Sequence, residues 1–308
     1  MSTLEALAAA LESVLGSTAL LTGSAAAAYA IDGVAPSMAV LPADAEQVAA
    51  VLRLAGEQQM TVFPRGGGSH TWLGQTPQQA DLVLSVQRLQ QQLAYEPADM
   101  TTTVQAGVRM TDLQQTLGQS GQFLALDPPL TPTTTIGGVV AANKSGPRRL
   151  LYGTARDVLL GLTVVTLDGK RTRVGGRVVK NVTGYDMNKL YIGSLGTLAV
   201  LVEMTLKLHP LPPGEATIGV EYAHDADLLP LLQAILHLPL RLNSLELLNG
   251  AACAALAADT GVPMAQRSSM LLVRLEGAPE VLQSQERRLR DTLRRTVLRQ
   301  PPAVYLWS

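Results

Sequence analysis

The sequence holds a single cysteine, Cys253, in 308 residues. A lone thiol excludes an intrachain disulfide, a cysteine-built zinc site and an iron–sulfur cluster ligated by this chain alone. A reduced, cytoplasmic setting fits that usage. Charge is also scarce. Charged residues make up 16% of the chain and the net charge is -1, so there is no clustered basic face of the kind nucleic acid requires. Aromatics are 4%, with two phenylalanines, too few to build a base-stacking platform. The N-terminus has no basic region ahead of an apolar one, so no signal peptide is expected. The alanine-rich run Ser24–Ala30 is too short and too weakly apolar to span a bilayer.

What the chain does have is apolar bulk and glycine. A hydrophobic fraction of 47% supports a large core and points to two domains. The glycines gather in turns. One reads Pro64-Arg65-Gly66-Gly67-Gly68-Ser69-His70. Another region runs from Asp127-Pro128-Pro129 through Thr133-Thr134-Thr135-Ile136-Gly137-Gly138 to Ser145-Gly146-Pro147 and Tyr152-Gly153. Glycine lets backbone approach a ligand closely, and successive free N–H groups form an anion-binding hollow. Two such turns suffice to hold a pyrophosphate, which points to a dinucleotide bound by backbone. Two familiar dinucleotide and nucleotide motifs fail on residue type. A G-x-G-x-x-G/A fingerprint is broken by Thr71, and no helical pattern follows it. A phosphate loop needs Gly-Lys-Ser/Thr, whereas the triple glycine ends in Ser69-His70.

Periodicity gives the framework. Leu4, Ala8, Leu11 and Leu15 predict an opening helix. Ser37–Leu41 reads as a strand, and Asp44 with Gln47 starts a helix buried through Val48, Val51, Leu52 and Ala55. Thr61–Phe63 is a strand running into the first glycine turn. Leu82–Leu84, Thr101–Val104, Leu159–Leu167 and Leu198–Leu208 read as further strands. Thr111 is placed to cap a helix carrying Leu113 and Leu117, Asp168-Gly169 makes a hairpin turn, and Gly193–Thr197 is a third small-residue turn. Pro210–Gly214 is the clearest linker. Beyond it the order β-α-β-β-α-β, with a short alanine-rich helix after the second strand, is the ferredoxin-like pattern. The expected division is an N-terminal helical segment (1–32), a cofactor domain (33–212) and a small cap (213–308).

These motifs, in this order, give Val40–Pro210 a family likeness. The stretch resembles the FAD-binding domain of the vanillyl-alcohol oxidase/p-cresol methylhydroxylase superfamily. The matching residues are Pro64–Ser69, Thr135–Gly138, Ser145–Arg148, Tyr152-Gly153, Arg156-Asp157, Gly161 and Gly193–Thr197. The run Gly176–Asp186 is similar to the family of FAD-binding subunits of bacterial glycolate oxidase (glycolate dehydrogenase). The resemblance implies an α+β chain: a two-subdomain FAD-binding fold of the p-cresol methylhydroxylase type followed by a short ferredoxin-like cap.

It also implies roles. Pro64, Gly66, Gly67, Gly68 and Ser69 would wrap the FAD diphosphate, while Arg65 either faces the phosphates or pairs with an acid. Thr134, Thr135, Gly137 and Gly138 would meet the diphosphate or ribityl chain. Ser145, Gly146 and Gly153 would continue past the isoalloxazine, with Pro128 as its wall. Val200 would reach the adenine through its backbone, next to an Ala199 that stands where the superfamily has glycine. Some relatives attach FAD through a histidine at the position of Ser69. His70 lies one residue further on, so non-covalent FAD is expected. Lys180 is a weak catalytic candidate in a polar run with Asn181, Tyr185 and Asp186; the alternative is a loop whose side chains cap one another. Arg148 and Arg149 read as surface charges, and the arginine-rich helix 287–299 as either a solvated face or a partner's docking face.

Oxidising a 2-hydroxy acid needs a hydride acceptor, a base and a cation for the carboxylate. The cap offers only His224 and His237, without metal-ligand spacing, so no metal is expected. The resulting expectation is a FAD-binding subunit of a glycolate-oxidising complex. A sister FAD subunit and an iron–sulfur subunit would be its partners, and any membrane association would run through them. A stand-alone 2-hydroxy-acid dehydrogenase and a non-catalytic scaffold are the alternatives.

Overall fold

The computed structural model describes residues 3–129, 131–176, 185–222, 225–260, 269–295 and 303–307. These form two compact units. The first holds Met1–Ser145 and Thr154–Pro210, and the second holds Gly146–Gly153 and Leu211–Ser308. This grouping differs from the expected division (1–32, 33–212 and 213–308) in two places. The N-terminal residues group with the first unit, their strand Leu20–Thr22 pairing with Met38–Val40. The second unit also takes in Gly146–Gly153 from the middle of the cofactor domain.

The first unit is built on two sheets. One contains β1 (Leu20–Thr22), β2 (Met38–Val40), β3 (Val62–Arg65) and β4 (Leu82–Ser85) in the order β1-β2-β4-β3. β2, β4 and β3 run parallel, so β2 and β3 need a crossover connection. Helix α3 (Ala45–Glu57) supplies it, after α1 (Thr3–Leu15) and α2 (Gly23–Ala27). Asp44 Oδ1 accepts the Gln47 amide at 2.8 Å, a cap worth about 1 kcal/mol. The predicted stripe of Val48, Val51, Leu52 and Ala55 is buried. β4 is buried along its whole length, as expected of a central parallel strand.

The other sheet is antiparallel. It contains β5 (Gln92–Glu96), β6 (Thr101–Gln105), β8 (Leu159–Val165), β9 (Arg171–Gly175) and β10 (Val200–Lys207) in the order β5-β6-β10-β8-β9. A two-residue ladder joins β7 (Gln122–Phe123) to β11 (His209–Pro210). Helices α4 (Met110–Gly118) and α5 (Ile136–Ala141), and the single turns α7 (Ala155–Val158) and α8 (Asn188–Tyr191), complete the unit; α6 (Arg149–Tyr152) belongs to the second. α4 starts from Arg109 with no side-chain cap, two residues ahead of the expected cap Thr111. One large apolar cluster runs from Leu7 and Leu11 through Leu84, Ile136 and Val164 to Leu206.

The second unit carries β12 (Glu215–Tyr222), α9 (Leu228–Leu236), β13 (Leu242–Leu248), α10 (Gly250–Thr260), β14 (Ser269–Glu276), α11 (Pro279–Arg295) and β15 (Ala303–Trp307). Its sheet is antiparallel with order β13-β14-β12-β15. Ile218, Val220, Val273 and Leu275 meet Leu231, Ile235 and Leu289 in its core. Arg148 is not a free surface charge: it pairs with Glu215 at 3.1 Å, and Arg274 binds the same carboxylate. Glu276, 3% exposed at its side chain, accepts from the Tyr152 hydroxyl and from Asn243 at 2.6 Å. Burial, and then the Glu276 bond, push the Tyr152 hydroxyl above its ordinary value. These contacts tie the Gly146–Gly153 segment to its unit.

Candidate functional site

β3 is the edge strand of the parallel sheet, so Pro64 removes no ladder hydrogen bond the sheet needs. The strand then runs straight into Gly66-Gly67-Gly68. That turn lies directly against the segment 133–135. A β-carbon on Gly66 would collide with the Thr135 hydroxyl, and one on Gly67 with the Thr133 carbonyl. Thr133 Oγ1 donates to the Gly67 carbonyl at 2.9 Å. The third turn joins them: Gly196, at φ +78°, would bring a β-carbon to 2.9 Å from Pro64. Its neighbour Leu195 is held at φ 53°, a strained setting for a branched residue, of the kind that gathers at binding sites.

Three joined hollows lie where the turns meet. One of about 150 Å³ is lined by Arg65–Thr71, Thr135, Gly138, Ala141, Ala142 and Leu195. A narrower one of about 60 Å³ shares Pro64, Arg65, Gly66, Gly138 and Leu195 with it, and adds Gly137, Gly196, Ala199 and Val200. The third, of about 390 Å³, continues past Pro64 and Gly196–Val200 to Leu52, Met60, Phe63, Val165 and Leu167. These neighbouring hollows make a cleft that is glycine-walled at Gly66–Gly68 and lined by apolar side chains at Leu52, Met60, Phe63, Val165 and Leu167.

The donors are distributed unevenly. The amides of Gly66, Gly67, Gly68 and Ser69 donate to no protein acceptor among the described residues. In the second turn the amides are already engaged. Gly137 donates to the Ala106 carbonyl at 2.8 Å, and Gly138 donates to Thr135 Oγ1 at 3.3 Å. Thr134 is buried, its hydroxyl closing a turn with Thr131 at 2.9 Å. So Thr135 and Gly138 wall the cleft, Gly137 lines its narrower part and lets α5 pack on Ala106, and the Thr134 side chain is turned onto Thr131.

Ser145 and Pro128 are buried. The Ser145 hydroxyl is engaged by the Ala155 amide at 3.3 Å, and its carbonyl by that of Asp127 at 3.1 Å. Gly146 and Gly153 belong to the second unit. Val200 opens β10 and lines the cleft beside Ala199. Lys180 and Asn181 lie outside the described residues, as does His224. Tyr185 is 95% exposed, and Asp186 pairs with Lys189 at 3.3 Å.

Arg65 is the cation of the cleft. Among the described residues no carboxylate pairs with it, so the acid-partner alternative falls away. Its Nη1 donates to the Ala28 carbonyl at 3.3 Å, its guanidinium carbon stands 4.9 Å from the Tyr29 ring centroid, and its Nε is buried without an acceptor. Burial lowers its pKa, the mark of a charge lacking a counter-charge. At the mouth, Ser69 Oγ meets His70 Nδ1 at 2.9 Å. Burial, and then nearby Lys144, push the His70 imidazole below its ordinary value. Lys144, absent from the sequence-derived set, stands 5.8 Å over the exposed Trp72 ring. Among the described residues no three His, Cys, Asp or Glu side chains gather as a metal site would require, and no helix is long and apolar enough to cross a membrane.

The residues here suit FAD. Its diphosphate is an anion for the buried Arg65 Nε and the free amides, and the glycine cradle has no room for side chains on its inner wall.

Residues 36–185 match the family model described as "FAD binding domain". The chain is 34% identical over 187 residues to glycolate oxidase subunit GlcD of Bacillus subtilis (strain 168), covering 61% of this chain and 40% of that one. It is 38% identical over 128 residues to glycolate oxidase subunit GlcE of Escherichia coli (strain K12), covering 41% of this chain and 37% of that one. It thus spans well under half of either relative. Among solved structures, p-cresol methylhydroxylase with substrate bound superposes with a TM-score of 0.79 at 17% identity, over 98% of this chain and 65% of that one; this is a likeness of fold.

Proposed function

We infer that this chain is a FAD-binding oxidoreductase: residues 36–185 match the FAD binding domain model, its relatives include glycolate oxidase subunits, and its fold is like that of p-cresol methylhydroxylase. Our reading is that it is the FAD-binding subunit of a complex oxidising glycolate or a similar 2-hydroxy acid. The single observation that carries the cofactor assignment is the set of free amides on Gly66–Ser69 beside the unpaired Arg65 Nε. The likeness to GlcD and GlcE supports the substrate class and the membership of a complex.

FAD, when bound, supplies the hydride acceptor for such a reaction. The chain's residues do the rest of the holding. Gly66, Gly67, Gly68 and Ser69 donate to the diphosphate, and Arg65 balances its charge. Pro64, Thr135 and Gly138 shape the wall. Val200 and Ala199 border the apolar end, which suits an adenine ring. Attachment is expected to be non-covalent, since His70 lies one residue beyond the position of Ser69, where some relatives carry the linking histidine. Pro128 and Ser145 remain candidates for the isoalloxazine end, and Lys180 for a role in catalysis. A sister FAD subunit and an iron–sulfur subunit are the proposed partners.

The test is the visible spectrum of the purified chain, alone and with its co-purifying partners, before and after glycolate. The reading expects flavin bands that are released by acid denaturation and bleached by glycolate in the complex. Bleaching by glycolate in the isolated chain would favour a stand-alone dehydrogenase. A colourless protein that takes up no added FAD would favour a scaffold.

A further inference from the structure

Tyr29 does not line the cleft, yet among the described residues both polar contacts of its side chain lead to the first glycine turn. Its ring lies 4.9 Å from the Arg65 guanidinium carbon. Its hydroxyl donates to Gln87 Oε1 at 3.4 Å, and Gln87 Nε2 donates to the Gly66 carbonyl at 3.3 Å. Tyr29 itself is anchored beside Ala26, Ile31 and Val83 in a small apolar cluster. We propose that Tyr29, acting through Arg65 and Gln87, is a positioning residue that presets the first glycine turn for the diphosphate of the dinucleotide.

Two arms carry the proposal. The first sets the cation. A guanidinium with one face over a ring and Nη1 tied to Ala28 has little freedom left. Its Nε is thereby held 2.8 Å from where a β-carbon on Gly68, itself at φ +76°, would sit. The second arm sets the amides. In a trans peptide the carbonyl and the following N–H point in opposite directions. Gln87 holds the Gly66 carbonyl, so the Gly67 N–H points away from Gln87. Thr133 holds the Gly67 carbonyl in the same manner and turns the Gly68 N–H. The donors are fixed before the anion arrives, and little ordering entropy remains to be lost on binding.

The proposal rests on the FAD reading, and the experiment separates the two. FAD, ADP and riboflavin are titrated into apo-protein of wild type, Tyr29→Leu, Tyr29→Phe, Gln87→Leu and the double variant Tyr29→Phe/Gln87→Leu, with apo melting curves to establish folding. Tyr29→Leu is expected to weaken FAD and ADP about tenfold and leave riboflavin unchanged. Tyr29→Phe, which keeps the ring, recovers most of that loss. Because Tyr29→Phe and Gln87→Leu break one link, the double variant binds no more weakly than Gln87→Leu alone. Equal losses for riboflavin and ADP, unchanged FAD affinity in folded Tyr29→Leu, or full additivity in the double variant would overturn the proposal. If Tyr29→Leu does not fold, the Phe and Gln87 variants decide it. A wild type that binds neither FAD nor ADP sinks the cofactor reading as well.

Discussion

Replacing Gly67 with alanine puts a methyl group where the Thr133 carbonyl already stands. Both partners are backbone, so no side-chain rotation relieves the overlap; the two turns have to move apart. That movement removes the Thr133 Oγ1 bond to the Gly67 carbonyl, worth about 1 kcal/mol. It also turns the Gly67 and Gly68 amides off their common target. A hydrogen bond to a charged group contributes about 1.5–3 kcal/mol. Losing two at the lower figure amounts to about 3 kcal/mol, or about 150-fold in affinity. The assay is quenching of FAD fluorescence on titration into apo-protein, with a far-ultraviolet melt of each variant. Gly118→Ala is the control. Its β-carbon meets nothing within 4 Å, and it ends α4, so alanine there raises stability by up to about 1 kcal/mol and leaves FAD affinity alone. A folded Gly67→Ala protein binding FAD within about threefold of wild type, a difference below 1 kcal/mol, would refute the cradle.

Three further outcomes are expected. Burial alone would raise the Asp81 carboxyl, but bonds from the Thr61 amide at 2.8 Å, the Thr61 hydroxyl at 2.7 Å and Gln79 hold it below its usual 3.8. The folded state therefore gains stability that is present above pH 3.8 and lost as pH falls through the lowered value; Asp81→Asn flattens that part of the acid limb in chemical denaturation series. His70 has the opposite chemistry. Its lowered pKa means the unfolded chain binds the extra proton below pH 6.5, so stability falls with pH from 6.5 down to the folded value. His70→Gln removes that slope in the same series. Thr135→Val deletes the cap on Gly138, costs about 1 kcal/mol in a thermal melt and weakens FAD binding.

The framework was legible where burial enforces a period. The first helix of the expected β-α-β-β-α-β order is α9, and the apolar run from Leu159 became β8. β5 was missed because it is an edge strand with exposed Gln92, Leu93 and Glu96, whose polar sequence hides the alternation. The reach of Gly146–Gly153 into the second unit depends on Arg148 and Tyr152 meeting Glu215 and Glu276, contacts far apart in sequence that no local pattern encodes. The glycine turns were legible as a site because only glycine permits such close approach. The division of labour between them was not. Whether an amide is free or already bonded depends on which turn packs on the sheet, as Gly137 does on Ala106. Tyr29 sat in an alanine-rich stretch with no motif to mark it.

Amide hydrogen exchange of the apo-protein and the FAD complex, resolved residue by residue, tests the central claim most directly. The account predicts new protection at Gly67, Gly68 and Ser69 when FAD is added, with Gly137 and Gly138 protected in both states. Protection that appears elsewhere while the Gly66–Ser69 amides exchange as before would contradict it.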